Sequence, residues 1–373
     1  MNQSLPRWVD IGLIPLANVL LAFCAAGLIV LAIGADPFAA VKFMLAGALG
    51  NSEAIGYTLY YATNYIFTGL AVAVAFHAGL FNIGGEGQAT LGGLGAGLAV
   101  LALDHTGSAL VIVPTAILAA AIFGAAWAAI PAYLQAYRGS HIVITSIMFN
   151  FLASALMVYL MVNVLMAPGA VAPESRDFAD TAALPLISDW LNALGFHVME
   201  SPLNLSLVFA LVACALVWFL VWHTPWGYEL RLMGFNATAA LYAGANPRRI
   251  ILLAMMLSGA LAGFVGVNEI LGVHHRLLLD FALGYGFGGI AVALMGRNHP
   301  VGIVFAGLLF GVLQQGGTEL TFEMPQVTRE MVVAIQGLVI LFSGALALMS
   351  RPWFEWSYWF VGRKLAVRKA ASA

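Results

Sequence analysis

Residues 11–34 contain no charged side chain, and the stretch is long enough to cross a bilayer core of about 30 Å as an α-helix. Similar apolar runs recur at about 57–80, 84–103, 109–132, 142–166, 203–223, 249–271, 283–296, 300–316 and 330–349. An isolated apolar segment in lipid must satisfy its own backbone hydrogen bonds, so each run is expected to be a helix. A membrane β-barrel would show alternating strands of about ten residues, and Ile251 to Phe264 shows no alternation. Charged residues make up only 9% of the chain, against about 25% in soluble domains, too few to cover a water-facing surface. The expected fold is therefore all-α: one polytopic bundle of about ten transmembrane helices.

The same composition excludes other classes. A net charge of −2 gives no basic face for nucleic acid. Cys24 and Cys214 both sit inside apolar runs, without ligand spacing, and read as packing residues. No zinc spacing, phosphate loop or nucleophile elbow is present, so no catalytic or metal-ligating residue is expected, and the chain is read as no enzyme. The run at 11–34 exceeds a signal-peptide core of about 7–15 residues, which favours a retained first helix. Residues 1–373 are read as a single membrane domain with halves at roughly 1–166 and 203–349, and no stretch leaves room for an ATPase domain.

Lys and Arg placement sets the orientation. With the N-terminus inside, eleven of the fifteen basic residues fall on the cytoplasmic face, among them Arg7, Arg138, Arg231, Arg248, Arg249 and Arg297. Lys42, Arg176, Arg276 and Arg329 fall on the other. Both termini are thus expected inside. Trp353, Trp356, Tyr358 and Trp359 form an expected interfacial belt, and Arg363, Lys364, Arg368 and Lys369 in the tail 350–373 face anionic lipid. Residues 167–202 form an outward loop with five acidic residues and Arg176. Two readings stand for it: a solvated connector, or a docking surface for an extracytoplasmic partner.

The cytoplasmic loop 224–248 carries helix punctuation. Thr224-Pro225 and Gly227 are expected to break the preceding helix. Asn236 is placed to cap a short helix over Ala237 to Ala243, and Gly244 with Pro247 to end it. Ala239, Ala240 and Ala243 give that helix a small face, and Tyr242 an anchor. The pattern Arg231-x-x-Gly234-x-Asn236-x-x-Ala239-Ala240-x-Tyr242-Ala243-Gly244, followed by Arg248 and by Ser258 to Gly263, resembles the coupling loop of ABC-importer permeases. The nearest group is the branched-chain amino acid, ribose and nucleoside permease superfamily. That resemblance implies that the short helix docks on a separate ATP-binding subunit, which binds and hydrolyses the ATP, so that this chain needs no cofactor.

A second motif, Phe76 to Ala89, places four glycines and the polar side chains His77, Asn82, Glu86 and Gln88 within a hydrophobic stretch. Glycine pairs disfavour a continuous helix, and a carboxylate inside a bilayer costs about 2.5 kcal/mol or more. Such a segment either turns in the cytoplasm or lines a polar path, as broken helices do in many transporters. The string Phe81-Asn82-Ile83-Gly84-Gly85-Glu86-Gly87-Gln88 resembles the signature of the nucleoside and simple-sugar branch. The resemblance implies that Asn82, Glu86 and Gln88 lie on or near the translocation path. The matching half-site is Gly284-Tyr285-Gly286-Phe287-Gly288-Gly289, at the head of another short span, and residues 57–166 and 249–349 form a candidate inverted repeat. Phe81, Tyr285 and Phe287 either pack or flank a flat ring.

Glu269, His274, His275 and Arg276 fall at the outer end of the seventh span, as an ion-pair cluster at the mouth or as a gate latch. The resemblance implies an importer in a bacterial inner membrane, working with a second permease subunit, an ATPase and an extracytoplasmic binding protein. Nucleosides lead as the expected solute, before simple sugars and branched-chain amino acids. The rival readings are an ion-coupled carrier, which would need a buried charged relay, and a membrane-embedded enzyme.

Overall fold

The computed structural model describes residue 9 and residues 13–282 and 284–344. The tail 350–373, with its aromatic belt and basic residues, and Arg7 lie outside the described residues. The described chain is helical, with one isolated antiparallel bridge between Leu186 and Asn204. Its helices are α1 (Ile14–Ala32), α2 (Pro37–Leu49), α3 (Ser52–His77), α4 (Gly85–Leu103), α5 (Ala109–Arg138), α6 (Ile142–Leu160), α7 (Ile187–Ala193), α8 (Ser206–His223), α9 (Pro225–Phe235), α10 (Ala237–Tyr242), α11 (Pro247–Gly266), α12 (Tyr285–Met295), α13 (Pro300–Glu323) and α14 (Arg329–Gly344). α6 and α11 each continue as π-helix, over Met161–Leu165 and Val267–His274.

Six of these, α3, α5, α6, α8, α11 and α13, are long and apolar enough to cross a membrane among the described residues. The number rises to seven if α1 and α2, bent by 118° at residues 33–36, make one broken span. α4, α12 and α14 occupy the other segments expected to span. α2 itself was not expected, because Lys42 placed residues 35–56 in an outward loop. Its start is built locally: Gly34 takes a left-handed φ of 80°, the Asp36 carboxylate accepts the Phe38 amide at 2.9 Å, and Pro37 fits a first helical position.

The chain divides into two compact units. The smaller comprises residues 1–45 and 316–373. Its described core joins Ala26, Val30, Ala35 and Ala40 to Leu320, Val327, Val332 and Ile335. The larger, residues 46–315, is built around α3. Asn51 caps α3 by accepting the Ala54 amide at 2.7 Å, and Ala62 to Ala75 are buried without interruption. Against α3 pack α11 and α12, while α4, α5 and α11 pack on one another.

These last contacts explain the glycine content. A Cβ at Gly92 would meet the backbone of Gly263, one at Gly124 the carbonyl of Gly259, and one at Gly266 the backbone of Gly93. Water-driven burial is absent between helices in lipid, so backbone approach through small residues supplies the packing. Ala116, Ala120 and Ala128 on α5 continue the same seam and are fully buried.

Candidate functional site

The two glycine motifs, separated by about two hundred residues in the chain, meet in the larger unit. After α3 ends at His77, Gly79 turns with φ 72° and the chain reaches Gly84, where α4 starts. α12 starts beside it. The Glu86 carboxylate caps α12: the Gly284 amide donates to Oε1 and the Gly286 amide to Oε2, each at 2.9 Å. The first turn of a helix leaves amides without partners and carries partial positive charge, so a carboxylate is stabilised there. Glycine is required at position 286, since a Cβ there would meet the Glu86 backbone. Gly288 and Gly289 let α12 lie against Tyr65 and Thr68 of α3.

Asn82 and Gln88 are buried and bonded mainly within the motif. Asn82 Nδ2 donates to Gln88 Oε1 (2.9 Å) and Ser258 Oγ (2.8 Å), and Asn82 Oδ1 accepts from the Gly84 amide (2.9 Å) and Gln88 Nε2 (3.2 Å). Ser258 in turn donates to the Ala71 carbonyl of α3 at 2.5 Å. Asn82 therefore ties α3, α11 and the head of α4 together with all its hydrogen-bonding capacity in use. Asn150 on α6 completes the cradle, accepting the Gly87 amide at 2.9 Å and donating to the Ile83 carbonyl at 3.0 Å.

The aromatic residues separate. Phe81 packs on Phe76 with ring centroids 5.2 Å apart, Tyr285 is buried edge-on against Tyr65 at 5.2 Å, and Phe287 is 49% exposed. Glu86 also lines a cavity of about 190 Å³, together with Thr90, Ser154, Met157, Asp280 and Gly284 among others.

Nearer the start of α3, a second carboxylate is fully buried. Glu269 accepts from Tyr60 Oη at 2.6 Å and Asn64 Nδ2 at 2.5 Å, with His274 Nε2 at 3.4 Å. His275 and Arg276 do not join it. Arg276 pairs outward with Glu174 (3.2 Å) and Asp177 (3.0 Å), so the expected four-residue cluster is split. The loop 167–202 lies along this segment: the Ser175, Phe178 and Leu184 amides donate to the Leu277, His275 and Leu271 carbonyls at 2.8–3.1 Å. Arg176 grips Asp104 at the end of α4 through both terminal nitrogens, at 2.6 and 3.0 Å. That guanidinium holds the Asp104 carboxyl below the usual carboxylate range.

Residues 224–248 form two short helices ahead of α11 rather than one. Thr224 Oγ1 accepts the Gly227 amide at 3.0 Å and Pro225 fills the first helical position, so the break falls at Thr224. Gly227, expected as part of the break, is buried in the first turn of α9, against the Leu220 and Val221 carbonyls. Asn236 Oδ1 caps α10 by accepting the Thr238 and Ala239 amides at 2.9 and 3.0 Å. Gly244 takes φ 86°, and Asn246 caps α11. Ala240 is fully buried, whereas Ala239 and Ala243 are exposed; the outer face carries Phe235 and Tyr242, each 89% exposed. Arg231 bonds back to the Gly227 carbonyl at 3.3 Å, and Arg248 lies 5.2 Å over the Tyr137 ring. Gly234 meets the backbone at His77 and Gly79, the root of the first glycine motif.

Comparison with known proteins decides what this architecture belongs to. Residues 54–344 match the family described as the branched-chain amino acid transport system permease component. The chain belongs to that family. It is 36% identical to the guanosine ABC transporter permease protein of Bacillus subtilis over 88% of this chain and 92% of that one. It is 35% identical to the glucose ABC transporter permease protein of Haloferax volcanii over 91% and 89%. It is 33% identical to a nucleoside ABC transporter permease protein of Lactococcus lactis over 87% and 89%. No solved structure matches the chain. The protein is thus a multi-pass membrane permease subunit of the nucleoside and sugar branch of ABC importers, and not itself an enzyme.

Sequence reasoning located both glycine segments. It missed Asn150, Tyr60 and Asn64, which carry no local signal beyond being polar residues within apolar helices.

Proposed function

We propose that this permease carries an uncharged, hydroxyl-rich solute inward, nucleosides before simple sugars, by alternating access driven by a separate ATPase. The observation that carries the reading is the contact of Gly234 with the His77–Gly79 backbone. It joins an exposed element, α9 and α10, directly to the segment that leads into Asn82 and Glu86. Motion imposed on α10 then reaches the junction of α4 and α12 through packed backbone rather than a flexible loop.

The solute preference is supported by charge. The carboxylates near the junction, Glu86 and Glu269, are held by neutral backbone amides, a phenol, a carboxamide and an imidazole. Asp280 adds a third beside Glu86. A path edged by such groups disfavours an anionic centre, which counts against an amino acid carboxylate. The names of the relatives, guanosine, nucleoside and glucose permeases, point to the same class.

In this reading the path residues divide. Glu86, Gly85, Gly286 and Gly288 form the junction, Asn82, Gln88 and Gly84 brace it, and Phe81, Tyr285 and Phe287 edge it. The α9–α10 segment docks on the ATPase through Phe235, Tyr242 and the exposed Ala239. Arg231, Asn236, Gly244 and Arg248 hold its shape. The apolar outer faces of α5, α6 and α8 meet lipid or a second permease subunit, and the loop 167–202 receives the binding protein. We read ten crossings with both termini in the cytoplasm, α4 and α12 being equivalent half-helices of an inverted repeat, in the plasma membrane.

The test is uptake by proteoliposomes holding the importer assembled with its ATPase and binding protein. Labelled guanosine or D-glucose accumulates with ATP and is unaffected by a protonophore, and leucine is excluded. Accumulation that follows the proton gradient, or that favours leucine, overturns the reading.

A further inference from the structure

We propose that Tyr60, Asn64, Asn268 and Glu269 form a hydroxyl-binding station for the solute, whose groups satisfy one another when it is empty. The inference rests on the reading above that the chain carries a hydroxyl-rich solute, and it names side chains that no motif marks.

A fully buried carboxylate in a membrane helix is costly and calls for a role. Glu269 is such a group. It lies on the π-helical stretch Val267–His274, and π-helical turns inside α-helices concentrate at functional sites. Its partners form a directed chain. Asn204 Nδ2 donates to Asn268 Oδ1 (2.9 Å), Asn268 Nδ2 to Asn64 Oδ1 (2.9 Å), and Asn64 Nδ2 to Glu269 Oε1 (2.5 Å), while Tyr60 Oη closes on Oε2. The chain links α3, the start of α8 and the π-helix.

Two hydroxyls stand beside it. Tyr285 Oη is buried within reach of the Asn64 side chain, and Ser206 Oγ is buried next to Asn204 without a hydrogen-bond partner. A buried hydroxyl left unpaired costs roughly 1–3 kcal/mol, and native structures hold few. A purely structural bolt would leave no reason for the Asn204 end of the chain to carry one. A ligand that brings its own hydroxyls supplies the partners.

The chemistry selects the ligand class. A carboxylate accepts two O–H donors, a carboxamide both accepts and donates, and a phenol does the same. Together they fit a ring with neighbouring hydroxyls. Tyr60 and Tyr61, with ring centroids 5.0 Å apart, and Tyr65 with Tyr285 offer flat faces beside them. The class is an uncharged sugar ring, free or as the sugar of a nucleoside. In the absence of solute the amide chain and Tyr60 stabilise Glu269, so opening the station exchanges one hydrogen-bonded set for another rather than exposing a bare charge.

The test compares guanosine with 2′-deoxyguanosine, and D-glucose with 2-deoxyglucose, as solutes for the assembled importer in proteoliposomes. The binding protein is common to all samples, so its own preference cancels between wild type and variants. Losing a hydrogen bond to a charged group is expected to lower the hydroxyl preference in kcat/KM about tenfold in Glu269→Gln. Tyr60→Phe, which removes a single hydroxyl, is expected to lower it in the same direction, and it carries the test if Glu269→Gln fails to assemble. If uptake of both members of each pair falls in equal proportion in Tyr60→Phe, the network is a structural bolt and the station is overturned. If the wild type accumulates none of these solutes, the proposed function falls and the station with it.

Discussion

Glu86 and Glu269 are both carboxylates within a lipid-facing bundle, and the protein satisfies them by opposite means. Glu86 is held by backbone, the two amides at the head of α12. Glu269 is held by side chains from α3 and its own π-helix. A backbone amide can only donate, and its position is fixed by the helix. A phenol or carboxamide can reverse its role. The first site therefore depends on how closely two chains approach, and the second on which side chains stand around it. Rigid junctions suit a hinge that transmits motion, whereas adaptable groups suit contact with a changing ligand.

The contrast is tested most severely at Gly286. Gly286→Val drives a side chain into the Glu86 backbone, and overpacking costs about 1–3 kcal/mol even where neighbours can move. The expected outcome is loss of folded permease, read as the yield of monodisperse protein in detergent. Normal yield and melting temperature would mean that the heads of α4 and α12 do not abut.

Replacing each carboxylate by its amide separates the two sites. In Glu86→Gln the new amide N–H faces a backbone N–H that cannot turn, so a loss of roughly 2 kcal/mol is expected. In Glu269→Gln the amide donates to Tyr60 Oη and its oxygen still accepts from Asn64, so the loss is about 1 kcal/mol or less. Thermal melting of the two purified variants gives the order. Equal destabilisation would remove the distinction between backbone and side-chain support.

Gly234→Leu probes whether the junction is reached from α9 and α10. The side chain would enter the His77 carbonyl, so α9 must shift from the root of the motif. Uptake is expected to fall about tenfold relative to ATP hydrolysis, with smaller change in melting temperature. An unchanged ratio of solute moved to ATP consumed would cut the link.

How much of this was readable beforehand follows distance along the chain. The Asn236 cap, the Gly244 stop and the breaks around Gly84 and Gly284 were legible because the signal and its consequence lie within a few residues. Residues 37–49 were not, since one lysine disguised an apolar helix, and α9 was hidden because Pro225 and Gly227 serve equally to break a helix and to begin one. The Glu269 site was visible only as charges near a span end. Its partners Tyr60 and Asn64 lie 209 and 205 residues away, and nothing in local composition selects them. The ten expected crossings likewise came from length and hydropathy, while α4 and α12 draw their burial from glycine contacts.

The smallest effect concerns the strap outside both sites. Arg176 holds the Asp104 carboxyl below its ordinary range, so the folded-state value lies under the unfolded one. The pair's contribution is present above the ordinary carboxylate range and is lost as pH falls through the depressed value. Arg176 is half exposed, so the effect is modest. Proteolysis of the loop 167–202 is expected to quicken in acid in the wild type, and Arg176→Ala to show quick cleavage already at neutral pH. Identical cleavage rates in the two would show that the pair does not anchor the strap.

The central claim is that α10 is the grip of an external motor. With Tyr242 replaced by p-benzoylphenylalanine in the assembled importer, irradiation is expected to join the permease to the ATP-binding subunit, with a yield that changes when ATP is trapped by vanadate. A photoadduct to lipid alone, in every nucleotide state, would contradict the account.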